Sequence, residues 1–252
     1  MSVRRQLHGA WLGRRRYEDV HELQKQLQAA RQAGQIPDTV LLLEHEPVIT
    51  LGRGAKADNV LLPTELLKAA GVDLVETGRG GDVTLHAPGQ LVCYPILSLA
   101  PDRQDVRRYV ADLAETMRRL ALRHGISSGP VEGLIGVWVD KRSPGEFRGR
   151  EHALHLAKLG AIGVRISRWV TMHGFALNLT TDLELFGMIV PCGIRDYGVT
   201  SVAELTGEQP DVAVEARAAI EALAEVLDAD VASFEDRAGD AELSAGRSAT
   251  IR

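Results

Sequence analysis

Two residues of this 252-residue chain stand where a plain scaffold would not put them. Cys192 lies in Val190-Pro191-Cys192-Gly193-Ile194, a sequence that reads as a turn rather than a strand interior. A thiol on a glycine-flanked turn is accessible and can accept backbone N–H donors. Lys158 lies inside LHLAKLGAIGV, residues 154–164, an otherwise apolar strand-like run. A lysine is almost never fully buried without a partner; burial lowers its pKa and a nearby anion raises it again. Each alone also fits a scaffold, the lysine snorkelling at a strand end and the cysteine packing as a small hydrophobe. Together they suggest a Cys–Lys dyad. A cation beside the thiol lowers its pKa from about 8.5 towards a range where thiolate exists at neutral pH. Such a thiolate attacks a thioester, and the same lysine can relay protons for a second transfer.

The polar groups that could present a substrate to that dyad cluster in residues 77–98, TGRGGDVTLHAPGQLVCYPILS. Gly78, Gly80, Gly81 and Gly89 surround Arg79, His86 and Gln90. Glycine lets backbone take positive φ and approach a ligand closely. Leu91 to Leu97 then form a near-continuous apolar run of strand length, so a glycine-rich hairpin carries polar groups and dives into a core. The full pattern, R-G-G-x-x-T-x-H-x-P-G-Q-x-x-x-Y, resembles the signature of the octanoyltransferases of lipoate synthesis. So does VLLLEHEPVITLGRGA, residues 40–55, beside that family's E-H-x-P-V-x-T-x-G segment. Lys158 in AKLGAIGVR, His173-Gly174-Phe175 in VTMHGFALN and Cys192 in IVPCGI match the family's remaining segments, and the resemblance runs over residues 39–204.

What the resemblance implies is specific. Cys192 becomes the acyl-thioester nucleophile and Lys158 the residue that lowers its pKa. Substrate contacts fall on Arg79, Gly80, Gly81, Asp82, Val83, Thr84, Leu85 and His86, on Ala161, Ile162 and Gly163, and on His173, Gly174 and Phe175. An octanoyl group would pass from acyl carrier protein to Cys192, and then to a lysine on the lipoyl domains of 2-oxoacid dehydrogenase complexes or on the glycine cleavage H protein. No metal, nucleotide or redox cofactor is expected, because a thioester is already activated. Leu85 stands where the family carries an aromatic and Ala87 where it carries glycine, so a change in the acyl tunnel is expected there. Cys93, in the apolar run, reads as structural, and His45 as a structural histidine in a polar turn with no metal-ligand spacing around it.

Three other readings use the same residues differently. An ATP-dependent lipoate or biotin ligase would bind adenylate in RGGDVTLH and need no cysteine. A cysteine hydrolase would use His173 or His86 as base and release free fatty acid. A non-catalytic carrier-binding protein leaves both Lys158 and Cys192 unexplained.

The elements that must position these groups follow from periodicity. Helical spacing marks 17–34, 63–71, 102–124 and 212–227, with shorter helices opening near 183 and 201. Strand patterns mark 6–11, 39–43, 48–51, 72–76, 131–140, 154–164 and 167–178, with 39–43 and 48–51 read as a hairpin and 141–152 as a polar loop. The expectation is a single α/β (α+β) domain over 1–235, with a mixed, largely antiparallel sheet flanked by helices. The resemblance implies the biotin and lipoate protein ligase fold. Beyond 236 few large apolar residues remain, and 236–252 is expected to be a disordered tail.

Composition bounds the rest. With 45% hydrophobic and 25% charged residues the chain is ordinary for a globular protein. A net charge of −5 gives no global field for nucleic acid, and no apolar run approaches the roughly 18 residues of a membrane span. Two cysteines make no disulfide framework and suggest a reducing cytoplasm. A monomer is expected. An acidic carrier protein would need a basic docking patch, for which Arg4, Arg5, Arg14, Arg15 and Arg16, or Arg103, Arg107 and Arg108, are the candidates.

Overall fold

Strand β6 (Gln90–Ile96) is buried along its whole length, and the rest of the chain is arranged around it. In the computed structural model, which describes residues 4–190 and 197–243, β6 pairs antiparallel with β2 (Asp38–His45) and with β10 (Val170–Asn178). Beyond β10 lie β9 (Leu156–Ser167), β8 (Leu134–Asp140) and β7 (Gly129–Val131), each antiparallel to its neighbour, with the two-residue β11 (Gly198–Val199) alongside β9. Beyond β2 lie β1 (Arg5–Arg15) and β12 (Ala229–Asp236), both parallel. A second sheet sets β3 (Val48–Leu51) between β4 (Asp73–Glu76) and β5 (Val83–His86).

Because side chains alternate across a strand, β6 feeds two cores. Leu91, Cys93 and Leu97 face α3 (Val106–Arg123) and α5 (Val212–Leu227), whose apolar stripes include Tyr109, Leu113, Met117, Ile220 and Leu223. Val92, Tyr94 and Ile96 face the other way, towards Val20, Leu23 and Leu27 of α1 (Tyr17–Gln32). Asp105 caps α3, its carboxylate accepting from the N–H groups of Arg107 and Arg108. Ser201 caps the short α4 (Val202–Thr206) in the same way. The helix α2 (Thr64–Ala69) closes the small sheet, burying Leu67 against Ile49, Val72 and Leu85.

Three expectations are corrected. β2 and β3 are not a hairpin: β2 runs on through His45, and after Pro47 the chain leaves the large sheet for the small one. A strand at 229–236 was not expected, since small and acidic residues dilute its pattern, yet it completes the sheet beside β1. The boundary at 236 also moves. The Arg237 N–H donates to the Trp11 carbonyl at 2.8 Å, Arg237 is buried, and Leu243 packs against the α1-side core. Apolar burial and backbone pairing thus continue past the last strand; residues 244–252 lie outside the described set.

The tightest crossing in the sheet is at Gly174. A Cβ there would lie 2.2 Å from the Cys93 carbonyl oxygen and 2.7 Å from Cδ of Pro95. Both are fixed by β6 backbone, so neither can yield cheaply. Gly174→Ala should therefore destabilise the fold by roughly 2–4 kcal/mol, a fall in Tm on the order of 10 °C. A thermal melt within about 2 °C of the parent would show that β6 and β10 can separate at no cost.

Candidate active site

A cavity of about 370 Å³ opens on the α1 side of the large sheet. Its floor is built by facing pairs of small residues, Gly163 opposite Gly174 and Ala161 opposite Ala176. Missing side-chain volume at four neighbouring positions leaves the depression. Tyr94 of β6 and Tyr17 of α1 wall one end, and Thr84 and His86 of β5 face it from the small sheet.

Arg79 lies under the glycine-rich loop and is 7% exposed. Its Nη2 donates to the Thr50 carbonyl at 2.6 Å, its Nε to Thr50 Oγ1 at 3.2 Å and its Nη1 to the Gly80 carbonyl at 3.1 Å. Glycines make room for it. A Cβ at 163 would fall 3.0 Å from Arg79 Cδ, and one at 52 only 2.3 Å from the Gly81 carbonyl oxygen. The loop is pinned to β9 by the Gly80 N–H, which donates to the Val164 carbonyl at 2.9 Å. The guanidinium thus serves as scaffold and cavity wall together.

The tautomer of His86 follows from two backbone carbonyls. Asn178 Nδ2 donates to the Thr200 carbonyl at 2.9 Å, so Asn178 presents Oδ1 to Gln90. Gln90 Nε2 donates to that Oδ1 at 2.9 Å and to the Leu85 carbonyl at 3.2 Å. Gln90 Oε1 is left to accept from His86 Nδ1 at 2.7 Å. The proton is therefore on Nδ1, and Nε2 is an acceptor. By the same logic His45 Nδ1 donates to the Arg15 carbonyl at 3.1 Å, and its Nε2 accepts from the Tyr94 hydroxyl at 2.9 Å. His45, expected as a turn residue, is fully buried at the end of β2. His173 sits in β10 with φ of 60°, a conformation non-glycine residues rarely adopt. It is held there by its backbone N–H, which donates to Gln24 Oε1 at 2.8 Å.

Burial keeps these rings neutral. It pushes His45 down to about 3, helped by His86; His86 down to about 4, against the pull of its bond to Gln90; and His173 down to about 3, helped by His21 and Arg79. No three of the described His, Cys, Asp or Glu side chains could hold a metal ion together.

In the unfolded chain each of these histidines protonates near pH 6.5, so below that pH the unfolded state binds more protons. Stability should be flat above about pH 6.5 and fall as pH drops towards 4, by about 1.4 kcal/mol per unit for each ring. Urea unfolding at pH 7.5, 6.5 and 5.5 measures this. Equal stabilities at pH 6.5 and 5.5 would show that the rings accept protons in place.

Lys158 is 5% exposed in β9, with Nζ 5.0 Å from the centre of the Trp138 ring. It borders a small second cavity that shares Thr84, Ala161 and Ala176 with the first and is also lined by Gln90 and Asn178. Gly136, at φ of 127°, clears the way, since a Cβ there would lie 3.1 Å from Lys158 Cε. The Lys158 carbonyl accepts from the Thr200 N–H at 2.9 Å, and Lys158 pairs with Val199 of β11. Cys192 lies outside the described residues; the chain is described up to Val190 and again from Tyr197, just before β11. Cys93 is fully buried in β6, and burial pushes its thiol far above the ordinary range.

Residues 16–224 match the family described as the lipoyl protein ligase A/B catalytic domain. An octanoyltransferase of Chloroflexus aurantiacus is 45% identical over 218 residues, covering 86% of this chain and 92% of that protein. The chain belongs to the octanoyltransferases. An octanoyltransferase of Myxococcus xanthus is 47% identical over 196 residues, which cover 78% of this chain; they span about half, 52%, of that longer protein. The activity is accordingly that of an acyltransferase in lipoate biosynthesis and protein lipoylation. Among solved structures, lipoate-protein ligase A bound with ATP superposes with a TM-score of 0.66 at 14% identity, over 92% of this chain and 89% of that one. The biotin protein ligase of Aquifex aeolicus with biotin and ATP gives 0.52 at 14% identity, over 88% and 70%. These show that the octanoyltransferase shares its fold with the ligases.

Of the residues expected to touch substrate, Arg79, Gly81, Asp82, Thr84 and His86 line the main cavity, together with Ala161 to Gly163 and His173 to Phe175. Val83 and Leu85 do not. Strand alternation turns them into the small sheet's core with Ile49 and Phe186, and Ala87 joins that core. The departures at 85 and 87 therefore reshape packing behind the wall and not the cavity surface. Gly80 holds the loop without lining the cavity. The sequence did not mark Tyr17, Gly54, Tyr94, Gly133, Leu134, Ile135 and Ala176 as site residues. Tyr17 had only the signal of a helix core position, and the β7–β8 turn had none.

Proposed function

We propose that this octanoyltransferase takes an octanoyl group from acyl carrier protein onto Cys192 and passes it to a lysine of a lipoyl domain. The observation that carries this is the cavity itself: a pocket floored by glycine and alanine, lined by neutral rings, sharing a wall with the small cavity that the buried Lys158 side chain borders. An apolar hollow with a few placed polar groups suits an acyl chain.

In the first half-reaction the Cys192 thiolate attacks the donor thioester carbonyl. The new C–S bond forms as the carrier's C–S bond breaks, and the carrier leaves as a thiol after taking a proton from Lys158, which is left as a neutral amine. Lys158, as a cation, favours the attacking thiolate. In the second, a lysine amine of the acceptor attacks the enzyme thioester. The amide forms, Cys192 is released as thiolate, and the proton lost by the amine passes to Lys158. The acceptors on this reading are lipoyl domains of 2-oxoacid dehydrogenase complexes and the glycine cleavage H protein, in the reducing cytoplasm. Substrate contacts are the cavity residues Arg79, Asp82, Thr84, His86, Ile162, His173 and Phe175.

Intact-mass spectrometry after incubation with octanoyl acyl carrier protein, then with an unmodified lipoyl domain, tests the sequence of events. One octanoyl mass should appear on the enzyme and then move to the domain, without ATP. Transfer that requires ATP and free octanoate would make the protein a ligase, and free octanoate as the sole product would make it a hydrolase.

A further inference from the structure

The mouth of the main cavity has two unlike lips. One is the β7–β8 turn, where Ile135 is 61% exposed beside Leu134. The other is the glycine-rich loop and the segment that runs along it. The Arg53 N–H donates to the Arg79 carbonyl at 3.0 Å, the Gly54 N–H to the Gly81 carbonyl at 3.0 Å and the Lys56 N–H to Asp82 Oδ1 at 3.3 Å. On the opposite flank of the same loop, Arg165 of β9 reaches Gly78; its Nη1 lies 3.1 Å from where a Cβ on Gly78 would be.

Arg53, Lys56 and Arg165 are all exposed, and none forms an ion pair with a carboxylate among the described residues. The arginines expected to dock a carrier are engaged or misplaced. Arg4 pairs with Asp228 and Asp230, Arg5 with Asp38, Arg14 with Glu44 and Arg16 with Asp73, while Arg15 donates to the carbonyls of Leu12 and Arg237. Arg103 pairs with Asp112. Arg107 and Arg108 sit on α3, across the sheet from the cavity. Of the acids near the mouth, Asp82 already accepts from Asn59 and from its neighbour Val83, and Asp58, Glu76 and, beside Gly133 on the other lip, Glu132 are solvent-exposed.

We propose that Arg53, Lys56 and Arg165 form the docking surface for the acidic carrier protein, placing its thioester arm over the cavity between the basic lip and Ile135. The proposal rests on the carrier-dependent reading above. Three exposed cations that pair with no described carboxylate make a basic spot on a chain of net charge −5, with Asp58 and Glu76 nearby but not bonded to them. Such a spot steers an anionic partner and sets its orientation, more through encounter rate than through contact energy.

The test compares two octanoyl donors, the acylated carrier protein and a carrier-free N-acetylcysteamine thioester. A triple variant, Arg53→Glu with Lys56→Glu and Arg165→Glu, should raise KM for the carrier-bound donor about tenfold or more and flatten its salt dependence. Acylation by the carrier-free thioester should stay within about twofold of the parent, as should both reactions of the control Arg107→Glu/Arg108→Glu. Titration of unacylated carrier against each protein reads docking without any transfer. Unchanged carrier KM and affinity in the triple variant would overturn the proposal. So would an equal loss with both donors, or a larger loss in the control. If the parent binds carrier through these residues yet acquires no acyl group, the docking surface stands and the thioester mechanism falls.

Discussion

Cys192→Ala should leave no octanoyl adduct on the enzyme and lower transfer to the lipoyl domain by a factor on the order of 10³ or more, because on the proposed mechanism no neighbour can replace the nucleophile. The measurement is clean for a structural reason. The second thiol, Cys93, is fully buried in β6 with its pKa pushed upward by desolvation, so it neither reaches substrate nor forms thiolate near neutral pH. An adduct in the parent should therefore map to Cys192 alone. An acyl mass that survives Cys192→Ala, or that maps to Cys93, would remove Cys192 from the mechanism, and the acyl group would have to pass directly from donor to acceptor.

Lys158 makes the second large prediction, and its two variants should part company. Lys158→Ala removes the cation, so the Cys192 pKa should rise by about one to two units, at about 1.4 kcal/mol per unit of differential interaction. Overall transfer should fall roughly 10²-fold or more, since the proton relay is lost as well. On the proposed mechanism Lys158→Arg keeps a charge for the thiolate but cannot take a proton and return it, because guanidinium stays protonated. The thiol should then remain acidic while turnover fails. Iodoacetamide alkylation of Cys192 against pH, beside the transfer rate, separates the two effects. The site is also shaped for lysine. Nζ lies 5.0 Å from the Trp138 ring centre, and the missing Cβ at Gly136 leaves room for the stem. If Lys158→Ala moves neither the alkylation profile nor the rate, the lysine packs against Trp138 and does no chemistry.

Much of the site was legible through the family resemblance, whose motifs fall where the backbone needs glycine. The R-G-G loop, Ala161 to Gly163 and His173 to Phe175 come from three separate strands or loops, yet the fold brings them to one cavity. Gly163 and Gly174 prove to be a cross-strand pair. What the sequence could not show was which side of β5 faces inward: Thr84 and His86 go to the cavity, Val83 and Leu85 to the core, because register depends on pairing with β3. Nor could it show that His45, read as sitting in a polar turn, is the buried acceptor of Tyr94. Helix limits at 212–227 were readable from periodicity alone. The strand at 229–236 was not, because its partner β1 lies at the other end of the chain.

That last pairing has a consequence for how the protein comes into being. Arg5 pairs with Ala229, and Gly9 lies so close to Ile220 and Phe234 that a Cβ on it would fall 2.4 Å from the one and 2.8 Å from the other. Of the described strands, the one made first is thus covered by the one made last. Long sequence separations slow folding, since loop closure must precede the contacts that reward it. A nascent chain that has not yet reached Ala229 carries β1 with an open edge, the kind of surface other chains pair with. Completion of the sheet therefore waits on β12, and until it is made the β1 edge stays open.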